Sequence, residues 1–288
     1  MADPKPDFTL EQLVWKYCSK ALKSEISSSQ QRFQIHNLTL KDGRRIVAKA
    51  TPRSEKSLAH LAAAYRIQEG LRGMGVPCAR LLAGPELLDD DRIIVVHEHF
   101  APGVPHSCET PEHLAAVASA LHTLRQKMNG APYQGLGQMA VCPTSGMPQR
   151  LMELLEKWAF TVNSAEDWAI MHGDFKARNL RFEKARVSAI YDFESLTIGS
   201  EAHIVGYSSV VFSGGSERLA INFDLDTARA FIAAYEKARR EPFSNVQREA
   251  AHGGMIHAMA YMGRLLLLGK ALSADELTDQ IIAFESKF

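Results

Sequence analysis

Cysteine is scarce in this sequence, and the few cysteines present show no metal-binding arrangement. There is no Cys-x-x-Cys pair, and no histidine accompanies a cysteine at the spacing of a zinc site. Free thiols in a reducing compartment are therefore expected, rather than a disulfide framework or a structural zinc ion. The four cysteines are Cys18, Cys78, Cys108 and Cys142.

A surplus of either charge is also missing, since Lys and Arg together number 33, as do Asp and Glu. Nucleic acids and anionic membrane surfaces are therefore not indicated as partners. No stretch approaches the roughly 18 uninterrupted apolar residues of a transmembrane helix, and Met1–Asp7 lacks the apolar core of a signal peptide. We expect a soluble, unexported, cytoplasmic protein, long enough at 288 residues for two lobes.

Polar side chains frame two short apolar runs in the middle of the chain. Leu180–Phe182 and Val187–Phe193 are separated by a short polar turn, which is the pattern of a small β-hairpin. Asp174 and Asn179 stand just before the first run, and Asp192 lies near the end of the second. Two carboxylates and an amide brought together by a hairpin can hold a divalent cation such as Mg²⁺ and leave one carboxylate for a substrate hydroxyl.

The spacing within this segment resembles that of a kinase catalytic loop. His172-Gly173-Asp174 is followed by an asparagine five residues after the aspartate, and Asp192-Phe193-Glu194 stands where a second, metal-holding aspartate is expected. Glycine replaces arginine in the first triplet, and glutamate replaces glycine in the last. With these replacements the pattern resembles the aminoglycoside phosphotransferase/choline kinase family.

This resemblance implies an α+β, protein-kinase-like fold of two lobes. Residues 1–99 would form a small nucleotide-binding lobe, an antiparallel β-sheet with helices. Residues 100–288 would form a larger, mainly helical lobe that carries catalysis and acceptor binding.

The resemblance also implies roles for the central residues. Asp174 would orient or deprotonate the acceptor hydroxyl, while Asn179 and Asp192 would hold Mg²⁺ on the β- and γ-phosphates of ATP or GTP. Lys176 and Arg178 lie between these residues, where they either meet the charge of the γ-phosphate or form a solvated face. For His172, support of the loop is favoured over proton transfer.

A second hairpin is predicted near the beginning of the chain, from Arg32–Leu40 and Arg44–Ala50. Its second strand contains Ile46-Val47-Ala48-Lys49, which resembles the lysine-bearing strand of kinases. Lys49 would accordingly contact the α- and β-phosphates of the nucleotide. The alternative is an edge-strand lysine whose side chain reaches solvent.

Two features depart from the family pattern. Glu25–Gln31 contains no glycine where a Gly-rich phosphate loop is usual, so Ser27, Ser28 and Ser29 are either substitute phosphate donors or part of an ordinary polar turn.

The second departure concerns the partner of Lys49. The helix predicted over Ser57–Arg72 should carry a glutamate for it, but the family register places that glutamate at Ala64, and Glu69 lies a turn or more further along. A shifted partner and no partner both stay open.

The stretch Arg92–Phe100 predicts a buried strand that leads into the link between the lobes. In the family that it resembles, backbone groups of this link bind the adenine edge. By position, these groups would belong to His97, Glu98, His99 and Phe100.

Helical periodicity predicts most of the remaining elements, with few strands after residue 193. The predicted helices are Leu10–Leu22, Pro111–Met128, Gln149–Val162, Asp226–Arg239, Asn245–Leu268 and Ala274–Phe284.

Taken together, these features predict an ATP- and Mg²⁺-dependent phosphotransferase acting on a hydroxyl of an aminoglycoside-, choline- or sugar-like small molecule. Carboxylates of the last helices would suit a cationic acceptor; the candidates are Asp224, Asp226, Asp275, Glu276 and Asp279. The missing Gly-rich loop and the unplaced glutamate motivate the alternative, a kinase-like nucleotide-binding module without transfer activity that acts through partners.

Overall fold

A computed structural model describes residues 22–30, 33–88, 91–106, 110–139, 147–163, 165–213, 224–268 and 273–287. The chain divides into two compact units, Met1–Ala101 with Pro132–Leu136, and Pro102–Ala131 with Gly137–Phe288. The predicted helix from Leu10 lies outside the described residues as far as Leu22, where the first strand begins. Within the described ranges, no helix is both long and apolar enough to cross a membrane.

The first unit is built on a five-stranded antiparallel sheet with the strand order β1-β2-β3-β5-β4. Its elements are β1 Leu22–Gln30, β2 Phe33–Leu40, β3 Arg45–Pro52, helix α1 Leu58–Gly73, β4 Leu81–Leu87 and β5 Arg92–Glu98.

Alternating burial gives this sheet two different faces. On one face Leu38, Ile46 and Val96 belong to one apolar cluster. On the other, Val95 packs with Leu61 and Tyr65 of α1. The sheet is thus covered by α1 on the face opposite to the first cluster.

Helix α1 begins where predicted, because the Ser57 hydroxyl accepts from the His60 N–H at 3.1 Å. Pro132–Leu136 also belongs to this unit. The predicted division after residue 99 had placed this segment in the second lobe. Gly135 explains the close fit: its φ is +97°, and a Cβ there would lie 2.8 Å from the Ala59 carbonyl oxygen.

The second unit contains six helices and two short antiparallel ladders among the described residues. Its elements are α2 Pro111–Lys127, α3 Gln149–Asn163, β6 Trp168–His172, β7 Leu180–Glu183, β8 Arg186–Ile190, β9 Leu196–Ser200, α4 Glu201–Ser213, α5 Leu225–Arg239, α6 Asn245–Leu268 and α7 Ala274–Glu285. Strand β6 pairs with β9, and β7 pairs with β8 as the predicted hairpin.

The strand β9 and the helix α4 are absent from the sequence prediction. Nearly every side chain of α4 is buried, so its sequence shows apolar residues on all sides rather than a stripe. Strand β9 is likewise buried along most of its length and pairs with a strand more than twenty residues away. Among the described residues, β9 is the one strand after residue 193, where few were expected, and it escaped prediction because it lacks the alternation that marks a half-buried strand.

Candidate active site

His172 ends β6 and holds the loop that follows it. Its side chain is fully buried, and Nε2 donates to the carbonyl oxygen of Tyr191 at 2.8 Å. Since Nε2 carries the proton, Nδ1 accepts from the Asp174 N–H at 3.3 Å. Burial lowers the pKa of His172, with partial opposition from the hydrogen bond to Tyr191 and from the charges of Asp192 and Asp174. The neutral ring therefore connects the loop after β6 to the end of β8, which is the supporting role favoured from the sequence.

Gly173 stands where β6 comes closest to the chain after the hairpin. Its N–H donates to the Ser195 carbonyl oxygen at 2.9 Å. A Cβ at this position would lie 2.9 Å from that same oxygen and 3.1 Å from Thr197 Cγ2. This close approach explains why glycine occupies the position where kinases carry arginine.

Asp174 and Asn179 are hydrogen-bonded to each other across the loop. Asn179 Nδ2 donates to the Asp174 carbonyl oxygen at 2.8 Å and to Asp174 Oδ2 at 3.2 Å. Because the amide nitrogen faces Asp174, the amide oxygen is the atom that can ligate a cation. The short 3₁₀ turn Ala177–Asn179 and the buried ring of Phe175 hold the backbone in this arrangement.

Asp192 adopts a left-handed backbone conformation, with φ of 64° and ψ of 41°. A non-glycine residue in this region costs about 1–3 kcal/mol, and such strain is concentrated at functional sites. The Tyr191 N–H donates to the Asn179 carbonyl oxygen at 2.9 Å. Asp192 follows Tyr191 directly, so it lies at the open end of the hairpin, one residue from this bond. The Ser195 N–H donates to the Asp192 carbonyl oxygen at 3.0 Å and stabilises the turn.

Lys176 interacts with the carboxylates of both Asp174 and Asp192. Lys176 Nζ contacts Asp174 Oδ2, and burial lowers the pKa of Lys176, while Asp174 and Asp192 both act to raise it. The two aspartates therefore act electrostatically on the same ammonium group. Asp174 and Asn179 are thus in direct contact, and Asp192 follows the residue that bonds to Asn179; the metal-binding role of the three residues stays a prediction.

The donor chemistry of this site fits Mg²⁺. The described residues contain no group of three or more His, Cys, Asp or Glu side chains arranged for a metal ion. A cation here would be held by the oxygens of Asn179 and Asp192 and would complete its shell with oxygens from outside the protein. Mg²⁺ favours such a site, because it keeps several waters or phosphate oxygens rather than entering an all-protein cage.

Lys49 lies in β3 opposite Val95, so it faces the side of the sheet that α1 covers. The pKa of nearby His97 is lowered to about 4, mostly by burial and also by Lys49, while Glu69 acts to raise it. Glu69 itself accepts from the Leu81 N–H at 2.7 Å and pairs with Arg72 at 3.1 Å. Ala64, the family position for the glutamate, is fully buried in α1.

Ser27, Ser28 and Ser29 belong to β1, so the expectation of a polar turn at these residues is wrong. Their Cα partners in β2 are His36, Ile35 and Gln34. Antiparallel pairing accommodates this serine-rich sequence, which local preference alone marks as a turn. Residues 31 and 32, between β1 and β2, lie outside the described residues. The phosphate-binding role of the serines stays a prediction.

Several backbone groups of the predicted base-binding stretch, His97–Phe100, form hydrogen bonds with neighbouring segments of the first unit. The Glu98 N–H donates to the Arg80 carbonyl oxygen and the His99 N–H to the Arg45 carbonyl oxygen, both at 3.0 Å. His97 lies within the ladder, opposite Val47 on one side and Leu81 on the other. The N–H groups of Glu98 and His99 are therefore already paired within the protein, and base recognition by backbone groups of His97–Phe100 stays a prediction.

A buried ion-pair network at the start of α4 was missed. Glu201 pairs with Arg125 at 2.7 Å and with Arg239 at 3.5 Å, and it accepts from the Tyr235 hydroxyl at 3.0 Å. Glu201 therefore connects the start of α4 to α2 and α5. Because the partners of Glu201 lie on two other helices, the sequence around Glu201 does not indicate this network.

The acidic candidates for a cationic acceptor have other partners. Asp224 caps α5 by accepting from the Thr227 N–H at 3.0 Å, and Glu276 forms a capping box with Ser273. Asp279 pairs with Arg150 at 3.6 Å, and Asp226 pairs with Arg229 at 3.8 Å. The observed contacts of these four carboxylates are structural.

Solved structures of phosphotransferases share this fold at low sequence identity. Amicoumacin kinase hAmiN, in complex with AMP-PNP, Ca²⁺ and Ami, has a TM-score of 0.72 at 14% identity, covering 96% of this chain and 94% of that chain. Macrolide 2'-phosphotransferase MphH from Brachybacterium faecium has a TM-score of 0.63 at 14% identity, covering 94% and 97%. A thermostable mutant of aminoglycoside phosphotransferase APH(4)-Ia, in ternary complex with AMP-PNP and hygromycin B, gives 0.62 at 14% identity, covering 96% and 97%.

These similarities show the protein-kinase-like α+β fold. No curated protein matches the chain in sequence. Residues 25–242 match the profile described as APH, phosphotransferase enzyme family, which spans more than half of the chain and includes the loop and the hairpin described above. The chain therefore belongs to the phosphotransferase enzyme family.

Proposed function

We propose that the protein is a small-molecule kinase that transfers the γ-phosphate of ATP or GTP, bound with Mg²⁺, to an alcohol hydroxyl. The observation that carries this proposal is the contact of Asp174 with Asn179, together with Asp192 following the residue that bonds to Asn179. Membership in the phosphotransferase family supports it. The complexes of hAmiN and APH(4)-Ia with AMP-PNP support the nucleotide, and those with Ami and hygromycin B support a small-molecule acceptor.

Each central side chain has a defined task in this proposal. Asp174 accepts a hydrogen bond from the acceptor hydroxyl and takes its proton as the hydroxyl oxygen bonds to the γ-phosphorus. The bond from that phosphorus to the bridging oxygen breaks, and its electron pair leaves with the nucleoside diphosphate. Asn179 and Asp192 would hold Mg²⁺, which when bound neutralises charge on the β- and γ-phosphates. Lys49 keeps its predicted role at the α- and β-phosphates.

A transfer assay tests the proposal. Purified protein is incubated with Mg²⁺ and γ-labelled ATP or GTP and a panel of aminoglycosides, macrolides, amino alcohols and sugars. We expect label on at least one acceptor, and a loss of about 10³-fold or more with Asp192→Ala or Asp174→Asn, because each removes a charge aligned with the transition state. Lys184→Met, on the exposed hairpin turn, is the control.

The same assay separates the alternative function. A nucleotide-binding module without transfer activity would bind the Mg²⁺–nucleotide complex and label no acceptor. The contacts of Glu69 favour this alternative. Glu69 is the glutamate closest in sequence to Ala64, where the partner of Lys49 is expected, and it is bound to Arg72 and to the Leu81 N–H instead. Label on any acceptor would eliminate it.

A further inference from the structure

Arg178 is an exposed cation in the loop between Asp174 and Asn179. It belongs to the short 3₁₀ turn Ala177–Asn179. The other cation of this loop, Lys176, contacts Asp174 Oδ2. In the described part of the chain, no carboxylate forms an ion pair with Arg178. The guanidinium of Arg178 is therefore available to an anion from outside the protein.

Hydrogen bonds bring the end of this loop back to its beginning. Asn179 Nδ2 donates to the Asp174 carbonyl oxygen at 2.8 Å and to Asp174 Oδ2 at 3.2 Å. Arg178 directly precedes Asn179, so their Cα atoms are about 3.8 Å apart. Burial is the main cause that lowers the pKa of Lys176, and the charge of Arg178 acts in the same direction. The guanidinium thus acts on the ammonium group that touches Asp174, the proposed base.

The charges of the loop leave a positive excess beside the acceptor hydroxyl. Lys176 balances the charge of Asp174, and burial favours the neutral form of His172, so Arg178 adds a positive charge that the loop does not balance. An acceptor hydroxyl oxygen would lie about 3 Å from Asp174, which places the substituents of the acceptor close to this loop. A guanidinium there repels an ammonium substituent and attracts a carboxylate or a phosphate.

The carboxylates first considered for a cationic acceptor do not offset this excess. Asp224 and Glu276 accept from N–H groups at the starts of α5 and α7, and Asp226 and Asp279 pair with arginines. These four side chains have partners within the protein, whereas Arg178 has no ion pair among the residues that the structure describes. The observed contacts therefore favour an anionic acceptor over a cationic one.

We propose that the acceptor is an alcohol that carries a carboxylate or a phosphate group, and that Arg178 binds this anion. A guanidinium offers two parallel N–H donors to either group, so the contact orients the acceptor as well as attracting it. Arg178 thus determines specificity, while Asp174 serves the hydroxyl. This inference rests on the proposed function and adds the chemical class of the acceptor.

Transfer of label from γ-labelled nucleotide to acceptors matched in skeleton tests the inference. One set contains glycerol, glycerate, glycerol 3-phosphate and 2-amino-1,3-propanediol, and the other contains glucose, glucuronate, glucose 6-phosphate and glucosamine. An anionic member should have a kcat/KM at least about tenfold above that of its neutral counterpart, because it gains one charge-assisted contact. The carboxylate and phosphate members of each set show which anion is preferred.

Variants of Arg178 separate its charge from its size. Arg178→Met should reduce the preference for the anionic over the neutral acceptor by about tenfold, and Arg178→Lys should retain part of it. Arg178→Glu should shift the preference towards the aminated member of the set. Arg186→Met makes the same change as Arg178→Met at a side chain of the hairpin that is 80% exposed, and should keep the preference for the anion.

Several outcomes overturn the inference. Label mainly on neutral or aminated acceptors would reject it and leave the proposed function intact, and a preference for anions that is the same in Arg178→Met would reject it as well. Weaker binding of AMP-PNP but not of ADP by Arg178→Met, with an unchanged acceptor preference, would assign the residue to the nucleotide. Thermal unfolding confirms that each variant is folded, and Arg178→Gln replaces Arg178→Met where the latter is not. Label on no acceptor of these sets or of the panel above would reject the proposed function together with this inference.

Discussion

At the scale of single residues, the site depends on backbone conformations as much as on charged groups. Asp192 occupies a left-handed conformation, and Gly173 sits where no side chain fits. The sequence predicted Asp174, Asn179 and Asp192 because the chemistry of a metal site fixes residue types and spacing. It left the reason for Gly173 unstated, because its neighbours Ser195 and Thr197 come from a later strand and connection.

Gly173→Ala should destabilise the folded protein. Its Cβ would lie 2.9 Å from the Ser195 carbonyl oxygen, so β6 and the turn before β9 must separate. We expect a decrease of about 1–3 kcal/mol in the free energy of unfolding, measured with urea. Gly73→Ala is the control, since a Cβ there meets nothing within 4 Å. Equal stability of the two variants would contradict the close approach.

Asn179→Asp should weaken the loop without changing its size. The substitution replaces a donor to Asp174 by a second carboxylate, so the bonds of 2.8 and 3.2 Å are lost and like charges face each other. We expect a loss of about 1–3 kcal/mol in the free energy of unfolding. Because Mg²⁺ would neutralise the repulsion, millimolar MgCl₂ should restore part of this loss in the variant and change the unaltered protein less. No effect of MgCl₂ on the variant would argue against a cation at this position.

At the scale of elements, burial on every side concealed structure that the sequence pattern could not reveal. Helices α1 and α2 were predicted from Ser57 and from Pro111, close to where they begin, because an apolar stripe and an N-terminal proline mark a half-exposed helix. Helix α4 lacks such a stripe, and it contacts α6 more closely than side chains allow: a Cβ on Gly206 would lie 1.9 Å from the Ala251 carbonyl oxygen.

Gly206→Ala should accordingly be among the most destabilising single-methyl substitutions in the chain. The added carbon meets backbone rather than a flexible side chain, so α4 and α6 must move apart. We expect a loss of about 3 kcal/mol or more, or failure to accumulate as soluble protein. Gly70→Ala in α1, where a Cβ meets nothing within 4 Å, should instead be neutral or stabilising by about 0.5–1 kcal/mol. Similar midpoints for both variants would contradict this packing.

The same helix pair carries a prediction about pH. His257 Nδ1 and His203 Nε2 are 3.0 Å apart and buried, and burial lowers the pKa of His203 and lowers that of His257 to about 4. An unfolded histidine binds a proton near pH 6.5, so between pH 6.5 and 4 the unfolded state binds more protons than the folded state. The free energy of unfolding should therefore fall as pH decreases through this window.

Urea unfolding at pH 7.5 and pH 5 measures this effect. His257→Gln should reduce the loss of stability between the two pH values by about 2 kcal/mol, because one buried titrating group is removed. The comparison uses the difference between pH values, so a constant cost of the substitution cancels. An unchanged difference would show that the pair does not titrate as its burial implies.

At the scale of the whole molecule, a short motif identified a fold shared at 14% identity with hAmiN across nearly the full chain. The motif predicts that fold because phosphoryl transfer needs a fixed set of side chains at a fixed spacing, namely a base, two metal ligands and a cation for the phosphates. The acceptor is not predicted in the same way. Its recognition has no fixed chemistry, and the acidic side chains first considered for it are used in caps and ion pairs, as with Asp224 and Asp279.

The most direct test of the proposed function is the Mg²⁺ dependence of AMP-PNP binding, measured by calorimetry with MgCl₂ and with EDTA. The unaltered protein should bind AMP-PNP at least about tenfold more tightly with Mg²⁺, and Asp192→Asn should lose that difference because a carboxylate ligand is removed. Binding that is equal with and without Mg²⁺, or a difference that persists in Asp192→Asn, would contradict a nucleotide-bound cation held by Asn179 and Asp192.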